Sequence, residues 1–129
     1  MNGTVYSNIE RDWMILLKKK YRVKKNEEFQ QIFKQGESFA NKQLVIYYVM
    51  KKDQQHFRVG ISVGKKLGNA VMRNKIKRYI RESLRQLEPH IQPDVDFVII
   101  ARKPATSMNV EEVKISLKHL LKRTGLYRQ

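Results

Sequence analysis

Residues 71–87 carry two stripes that together decide most of what this chain can fold into. At about 100° per residue, Met72, Ile76, Tyr79, Ile80, Leu84 and Leu87 gather on one side of a helix. Asn74, Lys77, Arg78, Arg81 and Arg85 occupy a neighbouring arc, while Glu82 lies outside it. An apolar stripe of this length has to be covered, and the flanking segments supply a sheet to cover it. Before the helix, Phe57 to Val63 alternates: Phe57, Val59, Ile61 and Val63 on one face, Arg58, Gly60 and Ser62 on the other. That is a strand with one buried face and one open face of small residues. After the helix, which Pro89 and Pro93 close, Asp96 to Ala101 is apolar on both faces and predicts a strand buried on both sides.

Around this centre the punctuation is clear. Asn26 predicts an N-cap for a short helix with Glu27 and Glu28 in its first turn, Phe29, Ile32 and Phe33 as its stripe, and Gly36 as a left-handed exit. Leu44 to Met50 is rich in β-branched and aromatic residues and predicts a strand, followed by a polar turn at residues 51–55. Residues 64–70 read as a loop. Asn109 predicts the cap of a last helix, with Glu111 and Glu112 in its first turn and Val113, Leu117, Leu120 and Leu121 buried. The order helix, strands, helix, strand, helix favours a two-layer α/β sandwich with a small mixed sheet. Residues 1–17, with balanced charge and the single Trp13, read as an N-terminal extension to a domain spanning 18–129.

Charge points to the partner. The 129 residues hold 27 Lys and Arg against 12 Asp and Glu, a net +15, yet 41% are hydrophobic, so a basic folded domain is expected rather than a disordered tail. Eight cations and one acid fall between Lys65 and Arg85. A merely solvated helix face mixes signs, and this one nearly excludes acids, so it predicts nucleic-acid binding. Phosphate contacts alone do not separate DNA from RNA. Leu44 to Met50 is apolar on both faces while its neighbour offers Gly60 and Ser62, which suggests a shallow groove walled by Val45, Tyr47 and the Phe29/Phe33 helix. Aromatics there would stack on unpaired bases; equally, they could simply be core.

Other chemistry finds little support. Gly60 to Lys66 is one residue short of a phosphate-binding P-loop and no Ser or Thr follows the lysine. With no cysteine there are no disulfides and no Cys-type zinc site, and His56, His90 and His119 lack metal-ligand spacing. Asp94 and Asp96 flank a strand start, which reads as a turn rather than a two-metal nuclease site. No residues 1–17 pattern matches a secretory signal, and no run spans a bilayer, so the expected place is the cytoplasm.

The segment RVGISVGKKLGNAVMRNKIKRYIRESL (58–84) closely resembles the signature of the bacterial ribonuclease P protein subunit. RVKKNEEFQQIFKQG before it, ANKQLVIYY next and FVIIARKPA after it match in order, so the resemblance covers roughly 18–127. It implies a small protein partner of a catalytic RNA that removes 5′ leaders from precursor tRNA. It also implies an α/β sandwich with a left-handed βαβ crossover, where the general rule would give a right-handed one. The family's RNA-subunit motif falls on Arg73, Asn74, Lys75, Lys77, Arg78 and Arg81, joined by Lys65 and Lys66. Its leader-binding cleft falls on Phe29, Phe33, Val45 and Tyr47. Lys75 stands where the motif commonly has arginine, which keeps the charge and loses the planar fork. Gly64 stands where serine is frequent. No catalytic or metal-binding residue is expected on the chain, and the magnesium ions are expected on the RNA partner. A ribosomal or ribosome-assembly RNA-binding protein and a self-sufficient nuclease are the alternatives.

Overall fold

The computed structural model describes residues 21–128 apart from residue 24. Along the chain come α1 (Asn26–Gln35), β1 (Glu37–Ala40), β2 (Leu44–Met50), β3 (Arg58–Ser62), α2 (Ala70–Leu87), β4 (Val95–Ala101) and α3 (Val110–Arg123). Short 3-10 turns occur at Lys65–Leu67, Glu88–His90 and Lys103–Ser107. The extension expected over residues 1–17 lies outside the described residues.

The segment that is apolar on both faces takes the inner position its composition requires. In the sheet order β1-β2-β4-β3, β4 pairs antiparallel with β2 and parallel with β3. Parallel neighbours need a crossover, and α2 is that connection. Leu44, Ile46, Val59, Phe97 and Ile99 point to one face, where Ile76, Ile80 and Leu84 of α2 and Val113, Leu117, Leu120 and Leu121 of α3 complete the main core. Each such aliphatic side chain contributes about 1.5–3 kcal/mol by leaving water. The opposite face carries Val98, Tyr47, Val49 and Ile100, and α1 lies on it with Ile32 buried against Val98.

Several local details differ from the sequence expectation. Lys25, not Asn26, is the N-cap of α1, and the Glu28 carboxylate accepts its backbone N–H at 3.2 Å. Gly36 is not left-handed; its φ of −81° is ordinary. It is needed for space, since a Cβ there would lie 2.5 Å from the Ile32 carbonyl oxygen and 2.6 Å from that of Tyr48. α2 begins at Ala70, because the Asn69 side chain accepts the Met72 N–H at 3.0 Å. Asn109 caps α3 as expected, with Glu112 returning the bond to its backbone.

β1 has no pattern of its own, and its residues are mostly exposed. It forms because the chain turns back on itself at Asn41. That side-chain oxygen accepts the N–H groups of Gln43 (3.0 Å) and Leu44 (2.8 Å), closing the hairpin onto β2.

Asp96 is not a turn residue. It is the second residue of β4, 1% exposed, and both its oxygens are taken by Arg58, at 3.1 Å from Nε and 2.6 Å from Nη2. Arg58 also reaches Glu28 of α1 at 2.9 Å. Its hydrogen bond to Asp96 leads in holding the Arg58 guanidinium well above its ordinary pKa, so Arg58 stays charged and ties α1 to the sheet.

Candidate nucleic-acid interface

The exposed arc of α2 is set by its other face: once Ile76, Ile80, Leu84 and Leu87 are buried, the cations must face outward. Arg73 donates Nε to the Gly68 carbonyl at 3.2 Å, which steadies the start of the helix. The Lys75 ammonium and the Arg78 guanidinium stand 6.0 and 5.6 Å from the Tyr79 ring centroid. Asn74 and Arg78 are exposed, as are Lys65 and Lys66 on the preceding turn. Among the described residues, none of Lys65, Lys66, Arg73, Lys75, Lys77, Arg78 and Arg81 has a carboxylate partner. Arg85 differs, for its Nε donates to Glu82 at 3.1 Å. Burial pushes the Glu82 carboxyl up, but the hydrogen bonds from Arg85 and Gln86 outweigh it and leave it below the ordinary 4.5. Arg85 therefore drops out of the uncompensated arc.

The aromatic residues meet where α1 crosses the open sheet face. Phe33 is 37% exposed and stands edge-on to Tyr47, with ring centroids 5.1 Å apart. Val45, Tyr47 and Ile100 are half-buried on the same face. The expected floor of Gly60 and Ser62 is only partly open. A Cβ on Gly60 would lie 2.4 and 2.6 Å from the Phe29 ring, so that ring occupies the floor there, and Gly60 is buried. Beyond it, Ser62 and Ile100 continue as a groove toward Lys65, Lys66, Arg102 and Lys103. Arg102 is positioned by a hydrogen bond from Nη1 to the Asn41 carbonyl at 2.9 Å.

The structure also joins residues that the sequence placed in separate groups. Phe29 of α1 and Lys77 and Arg81 of α2 line one cleft of about 180 Å³ beside β3, together with Arg22. Arg22 sits there because it bridges to Val59 and Val23 donates to the Val59 carbonyl at 3.1 Å. Nothing in the sequence around Arg22 announces this, since the bridge spans more than thirty residues of chain. Burial first, and then the Arg22 charge, lower the Arg81 pKa. Two cations held close without an acid form a site whose repulsion an anion relieves. A phosphate next to an aromatic ring is what one nucleotide of a single strand presents.

No three His, Cys, Asp or Glu side chains group so as to hold a metal ion among the described residues. His56 stands edge-on to Tyr21 (4.8 Å), His90 stacks on Tyr127 (5.0 Å), and His119 lies 3.4 Å from Asn41. No described helix is long and apolar enough to cross a membrane.

Comparison with known proteins identifies the family. The family model described as Ribonuclease P matches residues 17–125. The chain is 64% identical to the ribonuclease P protein component of Oceanobacillus iheyensis over 110 residues, 85% of this chain and 91% of that one. It superposes on the RNase P protein of Staphylococcus aureus with a TM-score of 0.78 at 50% identity, covering 84% of this chain and 98% of the other. For the RNase P protein of Thermotoga maritima the TM-score is 0.73 at 34% identity, covering 79% and 96%. By sequence and by fold, the chain belongs to the ribonuclease P protein family.

Proposed function

We propose that this chain is the RNA-binding subunit of a ribonucleoprotein that removes the 5′ leader from precursor tRNA, with the chemistry carried by a catalytic RNA. The observation that carries this reading is the cleft where Phe29 faces Arg22, Lys77 and Arg81 without a carboxylate. It suits a single strand, and it lies between the α2 arc and the aromatic groove. Family membership favours this over a ribosomal role.

On this reading Lys65, Lys66, Arg73, Asn74, Lys75 and Arg78 meet the RNA subunit. Phe29, Phe33, Val45 and Tyr47 hold the leader. Lys77 and Arg81 serve both, because they border the leader's path. Magnesium ions held by the RNA partner would supply the activation of water and the stabilisation of the leaving oxygen. The protein's positive charge lets two polyanions approach, and its groove holds the leader in register. The site of action is the cytoplasm.

Cleavage of a labelled precursor tRNA tests this. Protein alone should give no product, RNA alone at high magnesium slow cleavage, and both together at low magnesium fast cleavage. Cleavage by the protein alone, or no acceleration by adding it, overturns the reading.

A further inference from the structure

α3 carries a cationic surface that the reading above leaves unused. From Val113 to Arg128 there are five cations, Lys114, Lys118, Lys122, Arg123 and Arg128, and no acid. Lys114, Lys118 and Lys122 recur every fourth residue, so they form one stripe with steps of about 6 Å along the axis. Arg123 is turned away from it, with its guanidinium 4.8 Å from the Phe39 ring centroid.

The stripe ends on a fixed ring. The Lys118 and Lys122 ammonium groups stand 5.4 and 5.3 Å from the centroid of Tyr127. His90 stacks on the same ring at 5.0 Å and 15°. Tyr127 cannot drift, because it bridges to Ile91 and the next residue donates its N–H to the His90 carbonyl at 2.6 Å. Among the described residues, none of the three lysines has a carboxylate partner. The ring thus holds two ammonium heads together without neutralising either, an arrangement ready for anionic oxygens.

Position selects the anion. α3 packs along α2 in the helical layer, while the aromatic groove lies on the other face of the sheet. We infer that Lys114, Lys118 and Lys122, with Tyr127 as their platform, form a second phosphate-binding surface for the RNA subunit, separate from the α2 arc. This rests on the proposed role of α2 in meeting that RNA.

The test is a salt titration of full-length protein binding to the catalytic RNA, with hydroxyl-radical footprinting of the assembled holoenzyme. The triple variant Lys114→Gln, Lys118→Gln, Lys122→Gln keeps an unbranched polar side chain and removes charge at a helix surface; a thermal melt verifies folding. At 0.7–0.9 per phosphate, three contacts contribute about 2–3 units of log–log slope. Wild type should therefore lose about 20- to 40-fold more affinity than the variant between 50 and 200 mM salt. The footprint should also lose nucleotides that Arg73→Ala, Arg78→Ala protein still protects. An unchanged slope in the lysine variant, with a flattened one in the α2 variant, gives this face to an acidic protein and overturns the inference. Loss of the same nucleotides in both variants overturns its separateness. Unchanged slopes in both overturn the underlying role of α2 as well.

Discussion

Replacing Gly60 with alanine puts a methyl group where the Phe29 ring now rests. The new Cβ would sit 2.4 Å from Phe29 Cε1 and 2.6 Å from Cζ, against 3.4 Å or more for ordinary contact. The ring must therefore retreat by about 1 Å or swing out. Overpacking of this kind costs about 1–3 kcal/mol. A glycine removed from a strand gives back up to about 1 kcal/mol of chain entropy. The net loss should be about 1–2 kcal/mol, a fall in Tm of roughly 3–10 °C for a domain of this size. Displacing the ring also removes a base-stacking surface worth about 1–3 kcal/mol, so the preference of the assembled enzyme for precursor over mature tRNA should fall roughly 5- to 150-fold. Thermal melts and paired binding titrations read both effects. The second variant is Phe29→Ala, in whose background Gly60→Ala should no longer destabilise. An unchanged melt for the single Gly60 variant would refute the seating of Phe29 on Gly60. A lowered melt with an unchanged precursor preference would refute the role of that ring in holding the leader.

Tyr47→Ala should weaken precursor tRNA binding while barely changing mature tRNA; because Tyr47 is only half-buried, the stability loss should stay below the ~3–5 kcal/mol of a core aromatic, as a melt would show. Asp96→Ala should cost about 2–3 kcal/mol in denaturant unfolding, below a fully enclosed pair because Arg58 keeps Glu28, yet leave single-turnover cleavage within a few-fold of wild type at saturating RNA. A thousandfold loss in a folded variant would instead reveal a catalytic carboxylate. Glu82→Gln removes the one acid between Lys65 and Arg85, so RNA affinity should rise and the salt slope steepen by up to about one unit. Because the folded-state pKa of Glu82 is depressed, its stabilisation is present above the ordinary 4.5 and lost as pH falls through the lower folded value; melts at descending pH should show wild type and Glu82→Gln converging.

What the sequence determines by itself here is whatever a short window can encode. The alternation in Phe57–Val63, the two stripes of α2 and the Asn109 cap are all local, and each stands in the structure with limits shifted by a residue or so. The absence of acids on the α2 arc is legible too, because helical periodicity converts spacing into a face. Contacts between distant segments are not legible in this way. β1 exists because Asn41 folds it onto β2, and its four residues, of which only Phe39 and Ala40 are apolar, are too few to show an alternating pattern. The sequence places Asp96 at the start of a strand but not its burial, since a carboxylate inside a buried strand becomes tolerable only when Arg58 arrives from the neighbouring strand. The tertiary structure likewise decides that Phe29 fills the space above Gly60, and that Arg22 joins Lys77 and Arg81 in one cleft. Periodicity fixes which side of an element is buried, but the partner on that side is chosen by packing and charge compensation across the whole chain.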